Sequence, residues 1–263
     1  MKKIFVAAAV SLLFSCSKND SSESSFNFSL SKKGTKPVSE REVRGSFDEI
    51  FVSNAISADI IKSDEEKVIV SAPADLQEYI VAEITNGKLT VAVKGTNVQL
   101  EKVKVRIFAK DFDELHASSA ADVDIKDRFT QNKTKVSASS SASVNGYLEA
   151  NDLEISATSS GSFSGKVWAV NLDCDSGSGG SIDIHGKTKN ADVDCSSGSS
   201  FEAPKLMAAH VKADASSGSS VKIGASESLE AESSSGGSIT VNKNGDLKPL
   251  EISESSGGSV TVL

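Results

Sequence analysis

The sequence has few aromatic residues, few histidines and no apolar run long enough to cross a membrane. Aromatic side chains make up 5% of the chain, which is little material for a sugar-stacking cleft or a compact globular core. The three histidines, His116, His185 and His210, are scattered without the spacing of metal ligands, so a zinc site is not expected. No Gly-x-Ser-x-Gly motif lies at a strand-to-helix turn, and a serine nucleophile is therefore not indicated.

Acidic residues outnumber basic ones. The chain has 28 Lys and Arg against 36 Asp and Glu, a formal net charge of −8. Lys2 and Lys3 lie in a segment that we expect to be removed, which leaves 26 basic residues (28 − 2) against 36 acidic ones, or −10. A chain of this charge repels phosphate backbones, so we expect no nucleic-acid partner.

Residues 1–15 have the pattern of a lipoprotein signal peptide. Two lysines are followed by an apolar run over residues 4–14, which is shorter than the ~20 residues of a membrane-spanning helix. The run ends in Leu-Phe-Ser-Cys, which resembles the lipobox of bacterial lipoproteins. This resemblance implies cleavage before Cys16 and lipidation of Cys16, since stable anchoring needs more than one acyl chain. The alternative is an ordinary secretory signal with an incidental cysteine.

Residues 16–42 are predicted to be a lipid-anchored flexible tether. The segment is rich in serine and has no hydrophobic periodicity. The residues just after Cys16, Ser-Lys-Asn-Asp, resemble the export signals of bacterial surface lipoproteins, although only one of them is acidic. We therefore expect an exported outer-membrane lipoprotein, on either the cell-surface or the periplasmic face.

The second half of the chain repeats a serine- and glycine-rich phrase at a nearly constant interval. The apolar residue after each phrase recurs at spacings of 21, 19, 19, 19, 20, 18 and 21 residues. These apolar residues are Val123, Val144, Phe163, Ile182, Phe201, Val221, Ile239 and Val260. Such regularity indicates an array of structural units, each of about 20 residues.

A strand precedes each serine-glycine phrase. Leu172 and Cys174 alternate with Asn171 and Asp173, and this period-2 pattern returns in the following units. Since a single strand cannot bury its apolar face alone, the units are predicted to stack ~4.8 Å apart as the coils of an all-β parallel β-helix or β-solenoid. The phrase is then the corner of each coil, where glycine supplies positive φ and serine bonds neighbouring backbone. The alternative is a disordered serine-glycine linker.

Residues 43–110 are predicted to be an N-terminal β region that differs from the repeat. It contains a hairpin centred on Asn86 and Gly87, which suit a type I′ turn. A solenoid needs a blunted first coil so that its end does not polymerise. We expect this region to cap the repeat region at 111–263 and to add coils of its own, giving one domain over 43–263.

The same stretches resemble a known family. The phrase SFDEIFVSNAISADI at residues 46–60, the hairpin Asn-Gly-Lys-Leu at 86–89 and the serial Ser-Ser-Gly turns are similar to the putative auto-transporter adhesin, head GIN domain family. The resemblance runs from about Val43 to Leu263, with Asn54 where members commonly have glycine. It implies a right-handed parallel β-helix in a secreted or lipid-anchored bacterial protein, and it supplies no catalytic residue or cofactor.

Acidic residues two positions apart recur on the predicted strands. Both members of a pair point the same way, so stacked coils would align them into a ladder. A carbohydrate-active enzyme would use such carboxylates as general acid and base or as calcium ligands. Coils of nearly equal length leave no loop to build a cleft, so we expect a solvated face, with loose divalent-ion binding as an open hypothesis. The pairs are Asp122/Asp124, Asp173/Asp175 and Asp192/Asp194.

Cys174 and Cys195 are predicted to hold the same position in adjacent coils, three residues before Gly177 and Gly198. Directly stacked parallel strands hold their β-carbons slightly too far apart for an unstrained disulfide. Two inward-facing thiols are therefore expected, and a disulfide is the alternative. Trp168 fits either the core or the surface.

These patterns predict a non-enzymatic protein that binds, scaffolds or adheres at the cell envelope. The expected partners are the outer membrane, through the lipid on Cys16, and glycans or envelope proteins. No catalytic, cofactor or metal site is assigned. The alternatives are a carbohydrate-active β-helix enzyme, either a polysaccharide lyase or a hydrolase, and a purely structural envelope protein.

Overall fold

The computed structural model describes residues 30–95, 98–100 and 102–263, so the predicted signal peptide and Cys16 lie outside it. One short 3₁₀ helix, Gln77–Tyr79, occurs in these ranges, and no helix there is long and apolar enough to span a bilayer. All other regular structure is β. The strands are β1 (Leu30–Lys32), β2 (Val38–Arg44), β3 (Glu49–Val52), β4 (Ser57–Lys62), β5 (Lys67–Pro73), β6 (Ile80–Thr85), β7 (Lys88–Val93), β8 (Val98–Leu100), β9 (Lys104–Ala109), β10 (Glu114–Ala117), β11 (Asp122–Ser139), β12 (Ser143–Thr158), β13 (Ser162–Gly177), β14 (Ser181–Cys195), β15 (Ser200–Ala215), β16 (Ser220–Ser233), β17 (Ser238–Lys243), β18 (Leu250–Glu254) and β19 (Ser259–Val262).

The strands stack in parallel into a β-solenoid of about 8 turns of ~19 residues. The long strands β11 to β16 each pair along nearly their full length with the next, and β17 to β19 complete the column. The eight apolar residues singled out by their spacing form one continuous row through the stack. The predicted repeat and the predicted fold class are therefore confirmed.

The serine-glycine phrase forms the corner of each coil, as predicted. Ser178 and Gly179 have φ of 49° and 71°, and the N–H of Gly180 donates to the carbonyl oxygen of Gly177 at 3.0 Å. Two left-handed residues closed by such a bond make a type I′ turn. The N–H of Gly179 also donates to the carbonyl oxygen of Ser197 in the next coil at 3.1 Å, a bond that recurs from corner to corner. Because each corner bonds to the next, every coil needs the same turn, and the serine-glycine phrase therefore repeats.

Some corners lack glycine at the second left-handed position, and they carry backbone strain. Ser160 has φ of 60° there, a conformation that costs a non-glycine residue about 1 kcal/mol. We expect Ser160→Gly to raise the free energy of unfolding by about 1 kcal/mol, measured by urea denaturation. Gly218→Ser, at φ of 73° and with open space around it, is the reciprocal variant and should lower stability. A gain in stability in both variants would contradict this account of strain.

The core is a continuous column of apolar side chains inside the coils. Phe163 and Phe201 are almost fully buried in one row of the repeat, two coils apart, and Ile182 lies between them. Near the start of the repeat, Phe112 and Phe129 pack edge to face with ring centroids 5.1 Å apart. Five of the ten aromatic residues in the described ranges are buried in this column: Phe47, Phe112, Phe129, Phe163 and Phe201.

The N-terminal region forms both coils and a cap. Strands β3 and β4 continue the parallel stack beneath β10 and β11, and β7 and β9 lie beneath them in turn. Beyond that level the pairing becomes antiparallel, with β6 on β7 and with β5 on β9 followed by β2. Asn86 and Gly87, at φ of 51° and 80°, make the predicted hairpin turn. Antiparallel strands therefore close this end of the column.

The ordered head begins earlier than Val43, which corrects the predicted tether boundary at residue 42. Strand β2 pairs along its whole length with β5, and a guanidinium N–H of Arg41 donates to the carbonyl oxygen of Ile80 at 2.7 Å. The strand has no apolar face of its own, because its side chains alternate only between exposed and half-buried. Strand β2 is therefore held in the sheet by its hydrogen bonds to β5, and its own hydrophobic pattern does not predict it.

The opposite end of the described column has no such cap. In the last coil, β18 and β19 lie over β16 and β17 and leave their other side uncovered. Leu250 and Ile252 occupy inward rows but are 49% and 45% exposed. Glu254 follows in the same inward set, stacked on the buried Ser233. An inward-pointing charge of this kind discourages pairing with another sheet edge.

Candidate functional site

Two of the three predicted acidic pairs come together on one face of the solenoid. We call this the acidic face; it comprises the outward side chains of residues 152–158, 171–177, 190–195, 210–215, 228–233 and 250–254. Asp173 stacks on Asp192 and Asp175 on Asp194, and all four are exposed. The predicted ladder and its solvated character are thus present here.

The third pair, Asp122 and Asp124, lies elsewhere. It belongs to the first part of β11, where Asp124 stacks between Asp59 and Asn145. Lysines compensate the charges of Asp124 and Asp59, with Lys126 Nζ 2.5 Å from Asp124 and Lys104 Nζ 2.7 Å from Asp59. The expectation that all three pairs share one ladder is therefore wrong, because Asp122 and Asp124 follow a serine corner whereas the other two pairs precede one.

A groove runs along the acidic face parallel to the solenoid axis. In five consecutive coils, from Asp152 to Glu230, it is lined by three consecutive residues, of which the outer two point outward and the middle one is buried. It encloses about 460 Å³ and continues into a second cavity of about 300 Å³ that shares Asn171 and Asp173. We call the two together the axial groove. Seven strands contribute to it, so at ~4.8 Å per step its length is about 29 Å.

One rim of the axial groove is a ladder of amide and hydroxyl groups. The side-chain amide of Asn190 donates to Asn171 at 2.7 Å, and that of Asn171 donates to Asp152 at 2.7 Å. Further along, His210 Nδ1 and Ser228 Oγ are 3.0 Å apart. Each amide has two N–H groups, so one remains available to a ligand after the ladder bond is made.

The other rim carries carboxylates with a lysine among them. Asp173, Asp192, Glu230 and Glu251 line it together with Lys212. The ammonium group of Lys212 lies 4.0 Å from Asp192 and 3.7 Å from Asp214. The charges of Asp192 and then Asp214 raise the pKa of Lys212, which holds it in its charged form. This rim therefore offers hydrogen-bond acceptors, with Lys212 as a donor among them.

Carboxylates on the acidic face destabilise each other when ionised. Partial burial, followed by the charges of Asp214 and Asp192, raises the pKa of Asp194. Partial burial and neighbouring carboxylates likewise raise the pKa values of Asp173 and Asp175. A raised folded-state pKa favours folding at low pH, and this contribution is lost as the pH rises through that value.

Asp194→Asn is therefore expected to stabilise the protein at neutral pH. Removing one charge from the stack should raise the free energy of unfolding by about 0.5 kcal/mol at pH 7. At pH 3 the aspartate is largely protonated and the gain should vanish. Thermal melts of both proteins at the two pH values measure the difference. A gain of equal size at pH 3 would show that charge is not the cause.

The described ranges contain no group of three or more His, Cys, Asp or Glu side chains placed to hold a metal ion. His116 is 3.0 Å from Glu114, and His185 lines a separate surface cavity with Asp183 and Glu202. His210 belongs to the axial groove. Loose binding of divalent ions by the acidic face remains a hypothesis that rests on charge repulsion alone.

Cys174 and Cys195 are buried free thiols, as predicted, but they do not hold the same position. Cys174 stacks on Val193, whereas Cys195 stacks on Ser176. The corner after Cys174 begins at Ser178 rather than at Gly177, so counting from the first glycine displaced the alignment by two residues. Burial raises the pKa of Cys195 to about 12 and also raises that of Cys174. Both thiols are therefore unreactive packing groups.

Trp168 lies on the surface. It is 41% exposed, in an outward row between Glu149 and Lys187. Met207, 58% exposed, is the next residue of this row after Lys187. This row belongs to a different segment of the coil from the axial groove.

Sequence reasoning missed the amide rim of the axial groove. Asn171, Asn190, His210 and Ser228 differ in residue type, but they recur at spacings of 19, 20 and 18 residues, the same period as the corners. Their common offset from the corner is the signal that could have identified them. Acidic pairs drew attention to the opposite rim only.

Comparison with known proteins agrees with this architecture. Residues 46–167 and 135–245 each match the family described as putative auto-transporter adhesin, head GIN domain. No curated protein matches the chain. The two family matches overlap over residues 135–167, as expected when one pattern is found twice in a continuous repeat.

Several crystal structures share the fold. A putative lipid binding protein from Parabacteroides distasonis ATCC 8503 has a TM-score of 0.79 at 21% identity, covering 89% of this chain and 100% of that one. A putative adhesin from Parabacteroides merdae ATCC 43184 has a TM-score of 0.79 at 19% identity, covering 89% and 99%. A putative adhesin from Bacteroides fragilis NCTC 9343 has a TM-score of 0.67 at 16% identity, covering 88% and 100%. At these identities the similarity concerns the fold.

Proposed function

The chain belongs to the putative auto-transporter adhesin, head GIN domain family, and we propose that it is a non-enzymatic adhesion head of the cell envelope. Its axial groove is the binding surface. This groove carries the proposal, because it is a long recess built on paired strands and lined in five consecutive coils by the same outward-inward-outward triad. A repeated recess of this kind suits many weak contacts with an extended ligand.

The corners support binding rather than catalysis. Enzymes on comparable scaffolds place their chemistry on loops that project from a rigid framework. The corners of this solenoid are tight four-residue turns that bond to each other, so they project no loop over the groove. Neither the matched family nor the similar structures are named as enzymes.

The anchor proposed for this head is the lipid on Cys16, after removal of residues 1–15. The strand nearest the anchor in sequence, β1, pairs with β8, and β8 follows the strands of the capped end. The 14 residues from Cys16 to Leu30 span at most about 50 Å. The proposed tether therefore joins the head at its capped end.

Anchoring and adhesion can be tested together in cells that express the full chain. We expect protease treatment of intact cells to remove the head, and Cys16→Ser to release it into the medium or leave it unlipidated. We also expect expressing cells to adhere to polysaccharide-coated surfaces, with the Cys16→Ser cells losing this adhesion. Labelled fatty acid measures lipidation, and an immunoblot against the head provides the control for expression. Unchanged adhesion when the head has been shaved away would overturn the proposed function.

A further inference from the structure

We propose that the axial groove takes a linear, uncharged polysaccharide that lies along the solenoid axis with successive sugar units over successive coils. This inference rests on the proposed function of the groove as the binding surface. It goes further by naming the chemical class of the ligand and its orientation.

The shape of the groove requires an elongated ligand with a regular repeat. The buried middle residues Leu172, Ala191, Val211 and Leu229 form a continuous floor across four coils. Coils follow each other every ~4.8 Å, which is close to the length of one pyranose unit. An extended polypeptide repeats every two residues, or ~6.6 Å, and drifts out of register with the coils.

The polar groups along the groove match hydroxyl groups. One rim offers amide N–H groups and the His210 and Ser228 side chains, while the other offers carboxylate oxygens and the Lys212 ammonium. A sugar hydroxyl both donates and accepts a hydrogen bond. A chain of sugar units between the rims can therefore satisfy donors on one side and acceptors on the other.

The charges disfavour an anionic ligand and do not require a cationic one. Five carboxylates lie on the same rim as Lys212, so a phosphate, sulfate or uronate polymer would be repelled. Part of the negative charge is already compensated inside the protein, because Lys212 lies between Asp192 and Asp214 and Lys135 pairs with Glu154. On the amide rim Asn171, Asn190 and Ser228 are uncharged, and the carboxylate of Asp152 stacks beside Lys133. A neutral ligand can therefore bind in the groove without supplying a charge of its own.

The lining also predicts how the affinity should be distributed. Among the described residues that line the axial groove, none is Phe, Tyr or Trp, so no sugar ring is held by stacking on these side chains. Each unit contributes only a few hydrogen bonds that replace bonds to water. Affinity must then accumulate with chain length, up to the number of units that the groove can hold.

Binding by the detergent-solubilised full chain tests the proposal. The probes are neutral linear glucan, mannan, galactan and xylan oligosaccharides of about two to about eight units, with oligogalacturonate and oligolysine of matched length. We expect at least one neutral series to bind, with Kd falling at least about tenfold between two and six units and then levelling off. A tenfold increase in salt should change this Kd less than about twofold. Binding restricted to a charged series, or no binding of any neutral series, would overturn the proposal.

Paired variants assign the binding to the groove. Asn190→Ala combined with His210→Ala removes two adjacent groups of the amide rim, and Kd for the neutral oligosaccharide should rise at least about tenfold. Asn145→Ala removes an amide on another face, where Asn145 accepts a bond from Ser164 at 3.4 Å, and should leave Kd unchanged. Circular dichroism checks that both variants fold. If the double variant binds normally, the groove assignment is wrong, whereas loss of cell adhesion on shaving would still support the proposed function.

Discussion

Phe163→Ala is expected to lower the free energy of unfolding by about 4 kcal/mol. Phe163 is 1% exposed and stacks between Val144 and Ile182 in the middle of the repeat. Its removal leaves a void that cannot close, because hydrogen bonds between the coils fix the spacing of the surrounding strands. The expected loss therefore includes both lost burial and the cost of a persistent cavity.

Equilibrium denaturation in guanidinium, followed by circular dichroism, measures this loss. Trp168→Ala is the matched control, since it removes a larger aromatic ring from the outer surface of the same coil. We expect that control to cost less than about 1 kcal/mol. Comparable losses in the two variants would mean that the interior rows do not stabilise the column.

Gly186→Ala is expected to lower the free energy of unfolding by about 3 kcal/mol. Gly186 has φ of 134°, a conformation that side chains rarely adopt. A Cβ added there would lie 2.0 Å from the carbonyl oxygen of Val167 and 3.0 Å from its carbonyl carbon. Val167 is the partner of Gly186 in the coil below, so neither backbone can move without breaking the ladder between them.

Thermal melts of Gly186→Ala and Gly198→Ala separate this contact from backbone strain. Gly198 also has positive φ, at 69°, but a Cβ added there would meet nothing within 4 Å. We expect Gly198→Ala to cost about 1 kcal/mol through strain alone. A melting temperature for Gly186→Ala at or above that of Gly198→Ala would disprove the close-approach argument.

The features of the fold that could be predicted from the sequence are those in which a residue must adopt positive φ. Corners need positive φ, so serine and glycine recur there, and the row from Val123 to Val260 could be located from the spacing alone. The hairpin at Asn86 and Gly87 was predictable for the same reason. The residues of a turn are set by the local backbone conformation, and because one such turn occurs in every coil, their spacing gives the coil length.

The features that escaped prediction depend on contacts between distant residues. Strand β2 has no hydrophobic face of its own, and its position is set by pairing with β5. The alignment of Cys174 and Cys195 was displaced because the phrase Gly-Ser-Gly-Gly at 177–180 offers more than one glycine as the corner. Hydrogen bonds to the next coil, such as that from the N–H of Gly179 to the carbonyl oxygen of Ser197, determine which glycine occupies the corner.

The axial groove was unpredictable for a further reason. It lies beside a second bend in each coil, where the buried positions change phase between Ala169 and Leu172. No glycine or proline marks this bend in the coil that contains Ala169 and Leu172. The acidic rim was visible as pairs of aspartates, but the residues opposite share an offset and not a residue type.

Because the coils are of equal length, the length of the head can change by whole coils. Ser143, Ser162, Ser181 and Ser200 are directly stacked and 19 residues apart in sequence. Deleting residues 162–180 would place Gly161 before Ser181, in the position that Gly180 holds now. The axial groove would lose one coil, and its cross-section would stay the same. The length of the column and the number of coils that line the axial groove are thus adjustable by whole-coil duplication or loss, independently of the side chains that each coil presents.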